Sequence, residues 1–184
     1  MLKKKKTVLV FTCAHADPGT PNDRFSWLGA FIYDLKPDYV VDLGDGADLK
    51  SLNSFDTRYP QAIVSQNYGK DIECYNDAQE RLRWKFRHHK RKRPFWIGLE
   101  GNHENRIKKA VAHDPRLQGE KYGISFGHLQ TKHWFDEYHE YHNSAPVSLI
   151  TMAYLTLTSL VLAIMGHLSL VFIMLTPYLS LIHI

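Results

Sequence analysis

The chain has 184 residues, 44% hydrophobic and 23% charged, with a net charge of +4. That balance suits one soluble globular domain with a real core. Two cysteines, Cys13 and Cys74, exclude a disulfide framework and predict a reducing, cytoplasmic setting; Lys3 to Lys6 precede only a six-residue apolar run, too short for a signal peptide.

Residues 7–12, TVLVFT, are consecutive β-formers and predict a short buried strand. The polar turn behind it carries Cys13 and His15. Residues 24–35 place Phe25, Leu28, Phe31, Ile32 and Leu35 on one helical stripe, closed by Pro37. Residues 39–43 predict a second buried strand, halted by GDGAD. Residues 71–87 repeat Ile72, Tyr75, Ala78, Leu82 and Phe86 at three- and four-residue steps, the pattern of a long helix. A third strand over residues 95–99 ends in EGNHE, and residues 105–112 predict a helix stopped by HDP. Strand and helix alternating three times predict a layered α/β fold, in which ligands gather at the carboxyl ends of the strands. The loops after Thr12, Leu43 and Leu99 all lie at that end.

Arg81, Arg83, Lys85, Arg87, Lys90, Arg91, Lys92 and Arg93 crowd one short stretch, interleaved with Trp84 and Phe86. One reading is a landing strip for a polyanion, with Arg91, Lys92 and Arg93 as contacts. The other, which the sequence favours, is the solvated carboxyl end of a helix, where cations complement the macrodipole.

The three loops bring together Cys13 and His15, Asp45 and Asp48, and Asn102, His103 and Glu104. Carboxylate, imidazole and amide oxygen form a mixed ligand set suited to Mn²⁺, Fe or Zn²⁺. A bridging carboxylate can hold two such ions, which together clamp the attacking and leaving oxygens in phosphoryl transfer. The order Cys13-Ala14-His15, Gly44-Asp45-Gly46-Ala47-Asp48 and Gly101-Asn102-His103-Glu104 resembles the D-x-H, G-D-x-x-D and G-N-H-E motifs of calcineurin-like metallophosphoesterases. The surroundings, HADPGTPNDRFSWLG and LEGNHENRIKKAVAHDP, look closest to the bacteriophage-encoded branch, which would place the protein in a host cytoplasm. The resemblance covers roughly residues 7–145.

That resemblance implies a layered sandwich of mixed β-sheets flanked by helices, truncated on its C-terminal side, so that the phosphoesterase is expected to be incomplete or inactive as written. It implies two divalent ions, Mn²⁺ foremost and Fe, Zn²⁺ or Mg²⁺ as alternatives. His15 would hold the first ion, Asp45 would bridge both and Asn102 would hold the second. His103 would stand beside the scissile phosphate as acid or charge stabiliser, with Asp48 and Glu104 orienting the loops. The substrate would be a phosphomonoester or phosphodiester, with nucleic acid and nucleotides among the candidates. The sequence departs from the family in two places. Cys13 replaces the first aspartate ligand; it is either a thiolate ligand for a softer metal or a small residue at a strand end without metal contact. Of the family's later histidines only GHLS, residues 166–169, is similar, and it lacks the second histidine.

Residues 141–184 hold no Asp, Glu, Lys or Arg, and the apolar run is long enough to span a bilayer. Residues 151–159, TMAYLTLTS, back-translated and read one base earlier, permit D-G-I-S-Y-x-H-F, which is similar to the family's next histidine-bearing strand. A metallophosphoesterase domain over residues 1–145, followed by a frameshifted tail over 146–184, is therefore the expected organisation, with a membrane anchor as the alternative reading of the tail. The alternative functions are a nucleic-acid-binding module with vestigial metal loops, or a membrane-anchored protein.

Overall fold

The computed structural model describes residues 6–53, 66–88 and 93–140, and the backbone of 168–175 and 179–183. Strand β1, Lys6–Thr12, is apolar on both faces because it is covered on both, the usual state of a central parallel strand. Its side chains alternate between two clusters. Leu9 and Phe11 meet Phe25, Leu28 and Ile32 of helix α1, Asp23–Leu35, and Tyr75, Ala78 and Leu82 of helix α2, Tyr68–His88. Val8 and Val10 join Val41, Leu43 and Ile97 on the opposite face.

Strand β2, Tyr39–Asp42, pairs in parallel with β1, and β3, Phe95–Leu99, pairs in parallel with β2. Helix α3, Asn105–His113, follows β3, and the short helix α4, Thr131–Trp134, leads into β4, Glu137–His139, which extends the sheet beside β3. On the other side of β1 lie β5, Leu168–Leu175, parallel to it along its whole length, and β6, Leu179–His183, antiparallel to β5. The sheet order is β4-β3-β2-β1-β5-β6. The molecule is thus a mixed α/β fold with a largely parallel sheet flanked by helices.

The three expected strands and three expected helices are present, the third strand with the expected bounds and the others shifted by one to three residues. Phe31 corrects the stripe expected on α1: it is 38% exposed, at the outer edge of the face that buries Phe25, Leu28 and Ile32. Helices α1 and α2 approach closely at Gly29, where a Cβ would stand 2.6 Å from the Leu82 carbonyl oxygen. Strand β4 had no sequence signal: it has three residues, and only Tyr138 is partly buried. The expectations for the tail lie mostly outside the described residues, including Gly166 and His167. The described part of the tail supplies β5 and β6. Among the described residues no helix is long and apolar enough to cross a membrane.

Candidate metal centre

The parallel pairing of β1 with β2 does not stop where the strands end. Cys13 N–H donates to the Gly44 carbonyl (3.2 Å), His15 N–H to Asp45 (2.9 Å) and Ala16 N–H to Gly46 (2.7 Å). The loop after β3 joins them through two glycines. Gly44 has φ +92°, and a Cβ there would lie 2.7 Å from Gly101 Cα; a Cβ on Gly101 would collide with Asp45 and lie 2.8 Å from Glu104 Oε2. Only paired glycines let these backbones approach so closely.

Cys13, His15 and Asp45 all adopt left-handed φ values of 54°, 44° and 56°. Each costs a non-glycine residue about 1–2 kcal/mol, so the surrounding hydrogen bonds must over-determine the turn. Arg24 of α1 is one clamp: its guanidinium donates to the carbonyls of Ala14 (3.1 and 3.2 Å) and His15 (2.6 Å). Glu104 is the other. It is 3% exposed, and its two carboxylate oxygens accept the N–H groups of Asp45 (3.0 Å), Ala47 (2.9 Å) and Gly101 (2.9 Å). Burial pushes its pKa up, and the Asp45 charge adds to that push. Glu104→Gln would turn one acceptor into an NH₂ facing backbone donors. We expect a loss of about 2–3 kcal/mol, the range for a charge-assisted hydrogen bond broken in a buried site. Denaturant unfolding measures it, and a wild-type midpoint in the variant would show that Glu104 does not staple the loops.

Two groups of side chains converge. In the first, one donor atom each from Cys13, His15 and Asp45 lies within 4.8 Å of the others; in the second, the same holds for His15, Asp48 and His103. Their hydrogen bonds distinguish them. His103 Nδ1 is 2.8 Å from the Asp48 carbonyl, which can only accept, so Nδ1 carries the proton there; Asp48 Oδ1 lies 3.1 Å away. Nδ1 is therefore committed to Asp48, and the second group is a clamp on His103. Burial lowers the pKa of His15, helped by neighbouring His103, which keeps the ring neutral with a lone pair to donate. Burial also opposes charging of His103, but the Asp48 hydrogen bond and the Asp45 charge outweigh it, so its pKa is raised. The two rings meet edge-to-face with centroids 4.6 Å apart.

Asp45 is 4% exposed, and its Oδ1 accepts the His103 N–H at 3.0 Å. Asn102 is half-buried in the adjoining turn, between Gly101 and His103. Sequence reasoning missed Arg106, whose Nη2 stands 3.2 Å from His103 Nε2 while Nη1 donates to the Asp48 carbonyl at 2.7 Å. Its spacing of three from His103 at a helix start was the available signal. The basic stretch divides. Arg83 is not on a landing strip: it is buried, donates to the Gln79 side chain (2.6 Å) and the Trp134 carbonyl (3.1 Å), and stacks 4.1 Å above Trp96. Arg81 pairs with Asp77, Arg87 with Glu80 and Arg93 with Asp136. Arg91 and Lys92 lie outside the described residues.

Beneath the loops sits Asp42, 4% exposed, accepting the Gly44 N–H at 3.1 Å. Burial, then the Glu104 charge, push its pKa to about 8, against the pull of the Gly44 hydrogen bond and Arg83. A carboxyl raised in the folded state holds a proton that the unfolded chain has released. Its contribution is complete below the unfolded value near pH 4 and is lost as pH rises to about 8, by up to about 1.4 kcal/mol per pH unit. Asp42→Asn keeps the acceptor and removes the titration. The stability difference between variant and wild type should therefore widen from pH 5 to pH 8 in denaturant melts. A constant difference would mean that the carboxyl is already ionised at pH 5.

Compared with known protein families, curated proteins and solved structures, the chain matches none.

Proposed function

We propose that the chain is a divalent-metal-dependent phosphoesterase, with its site at the carboxyl ends of β1, β2 and β3. The observation that carries this is the convergence of Cys13, His15 and Asp45 on strained, clamped turns, beside a histidine fixed by Asp48 and Arg106. The donor set fits a cation. A neutral imidazole, a carboxylate and a thiol are a borderline set that favours Zn²⁺, and only small side-chain movements separate these atoms from a shared ligand position. In this reading Asp45 would serve two ions and Asn102 the second, within the layered sandwich that the motifs imply. Two free thiols suit a reducing cytoplasm.

Bound ions would supply Lewis acidity toward a phosphoryl oxygen and toward water. The chain's own residues do the rest. His103 Nε2 faces the Arg106 guanidinium, which can donate only to a neutral ring. An arriving phosphate offers Arg106 a stronger, charged acceptor. Once Arg106 turns to it, Nε2 is free to hold a proton, and the raised pKa set by Asp48 favours that form. His103 then stands ready to protonate the leaving alkoxide while Arg106 holds the phosphate. The test is hydrolysis of p-nitrophenyl phosphate and bis-p-nitrophenyl phosphate with Mn²⁺ or Zn²⁺ added to metal-stripped protein. Slow turnover with metal, as an incomplete site allows, and none in chelator is the expected result; equal rates in both would sink the reading.

A further inference from the structure

A cavity of about 690 Å³ opens at the other end of the sheet, where β1, β2 and β3 begin. That is within the size range of small-molecule sites, about 300–1,000 Å³. It stands roughly 20 Å from the metal loops, the length of β1 at about 3.3 Å per residue. The chemistry of its walls differs from that of the metal site. Phe95 and Tyr39, the first residues of β3 and β2, form an edge-to-face pair with centroids 6.0 Å apart, and Phe95 is 41% exposed. Tyr33 and Phe86 form a second such pair at 5.4 Å in the same wall. Neither Phe95 nor Tyr39 belongs to the fully buried core.

The rim is charged with a definite sign. Asp38 takes the Lys6 ammonium on one oxygen (2.9 Å) and the Thr7 N–H on the other (2.9 Å). Asp136 grips Arg93 with both oxygens and accepts the Trp96 N–H at 2.8 Å. Both carboxylates are thus occupied in fastening strand starts and cancel the two cations they hold. Lys36 adds a positive charge; it caps α1 in a left-handed turn, and no described residue forms an ion pair with it. Lys6 and Arg93 keep N–H donors beyond those given to the carboxylates. An aromatic wall under a net-positive rim suits a flat ring that carries an anion: the ring stacks, and the anion meets the cations.

We propose that this cavity binds a nucleotide unit, its base against Phe95 and Tyr39 and its phosphate at Lys36, Lys6 and Arg93. The unit can be a free nucleotide or one residue of a single strand, since both present the same base and phosphate. The proposal is independent of the metal reading, and the experiment keeps the two apart by working in chelator. Calorimetry with dTMP, and anisotropy with a fluorescein-labelled ten-residue thymidine strand, are run on wild type, Phe95→Ala, Lys36→Asn and Asp45→Asn. Asparagine suits the left-handed turn at residue 36, so that variant removes charge without straining the fold. Binding should weaken about tenfold in Phe95→Ala and several-fold in Lys36→Asn, and stay unchanged in Asp45→Asn. Binding of dTMP with this pattern supports the site with a free nucleotide as its ligand. Binding of the strand alone with this pattern, falling with salt, supports it with single-stranded nucleic acid as the source. Absence of binding to either probe, or binding that ignores Phe95 and Lys36, overturns the proposal, as does binding lost in Asp45→Asn.

Discussion

Asp45→Asn should abolish divalent-ion binding and lower metal-dependent phosphoester hydrolysis by at least about a hundredfold, while leaving the fold intact. The substitution is informative because asparagine can do nearly everything Asp45 does structurally. It tolerates the left-handed φ of 56°, and its Oδ1 can still accept the His103 N–H. What it removes is one negative charge at a site that is 4% exposed. An anionic oxygen within reach of Cys13 and His15 is the hardest donor in that group, and hard divalent ions such as Mn²⁺ and Mg²⁺ depend on it most. Calorimetric titration with Mn²⁺ and Zn²⁺, paired with circular dichroism, separates a lost site from a lost fold. A well-folded variant that still binds either ion at wild-type affinity would place the metal elsewhere, and the phosphoesterase reading would fall with it.

How much of this was legible in the sequence depends on where the covering residues lie. β1, β2 and β3 declared themselves because strands buried on both faces must be apolar throughout, a local property. β4 did not, because a three-residue edge strand buries one side chain, Tyr138, and leaves Glu137 and His139 outside. That the three loops would meet was readable, since each follows an apolar strand and the three strands pair in parallel. Their hold on one another was not: the Gly44–Gly101 approach and the Glu104 hydrogen bonds span more than fifty residues. Arg83 fell to the same limit. Its position beside Leu82 on the inner face of α2 was visible, but the rings that cover it, Trp96, Trp134 and Phe135, come later in the chain. A run of cations therefore looked uniform when one of them is part of the core.

The clustered carboxyls give the metal loops a common electrostatic logic. Asp42 and Glu104 are both raised by burial first and by neighbouring carboxylates second. Such a cluster is unfavourable alone and would be relieved by a cation, so an ion bound there would also stabilise the loops. Arg83 relieves it only in part, pulling Asp42 down against its burial, and Arg24 gives its guanidinium to the carbonyls of Ala14 and His15 instead.

Cys13→Asp tests that coupling at the position where the motif that the first loop resembles carries a carboxylate. The Cys13 thiol is pushed up by burial and by the charges of Asp45, Asp42 and Glu104, with a hydrogen bond from Thr12 working the other way. At neutral pH it is a protonated thiol, and it becomes a ligand only for an ion soft enough to displace that proton. Aspartate at residue 13 would be ionised, hard and better suited to the left-handed φ of 54°. It would also add a negative charge beside Asp45, so the metal-free protein should melt at a lower temperature than wild type. With Mn²⁺ the order should reverse: affinity rises at least about tenfold, equivalent to roughly 1.4 kcal/mol, and the melting temperature climbs with ion concentration more steeply than in wild type. Zn²⁺ should gain nothing, because the thiolate it favours is gone. Calorimetry with both ions, and melts with and without them, decide the matter. If Mn²⁺ binds the aspartate form no better, and wild type holds Zn²⁺ stoichiometrically, then Cys13 is itself a working ligand and the first loop is built for a softer ion.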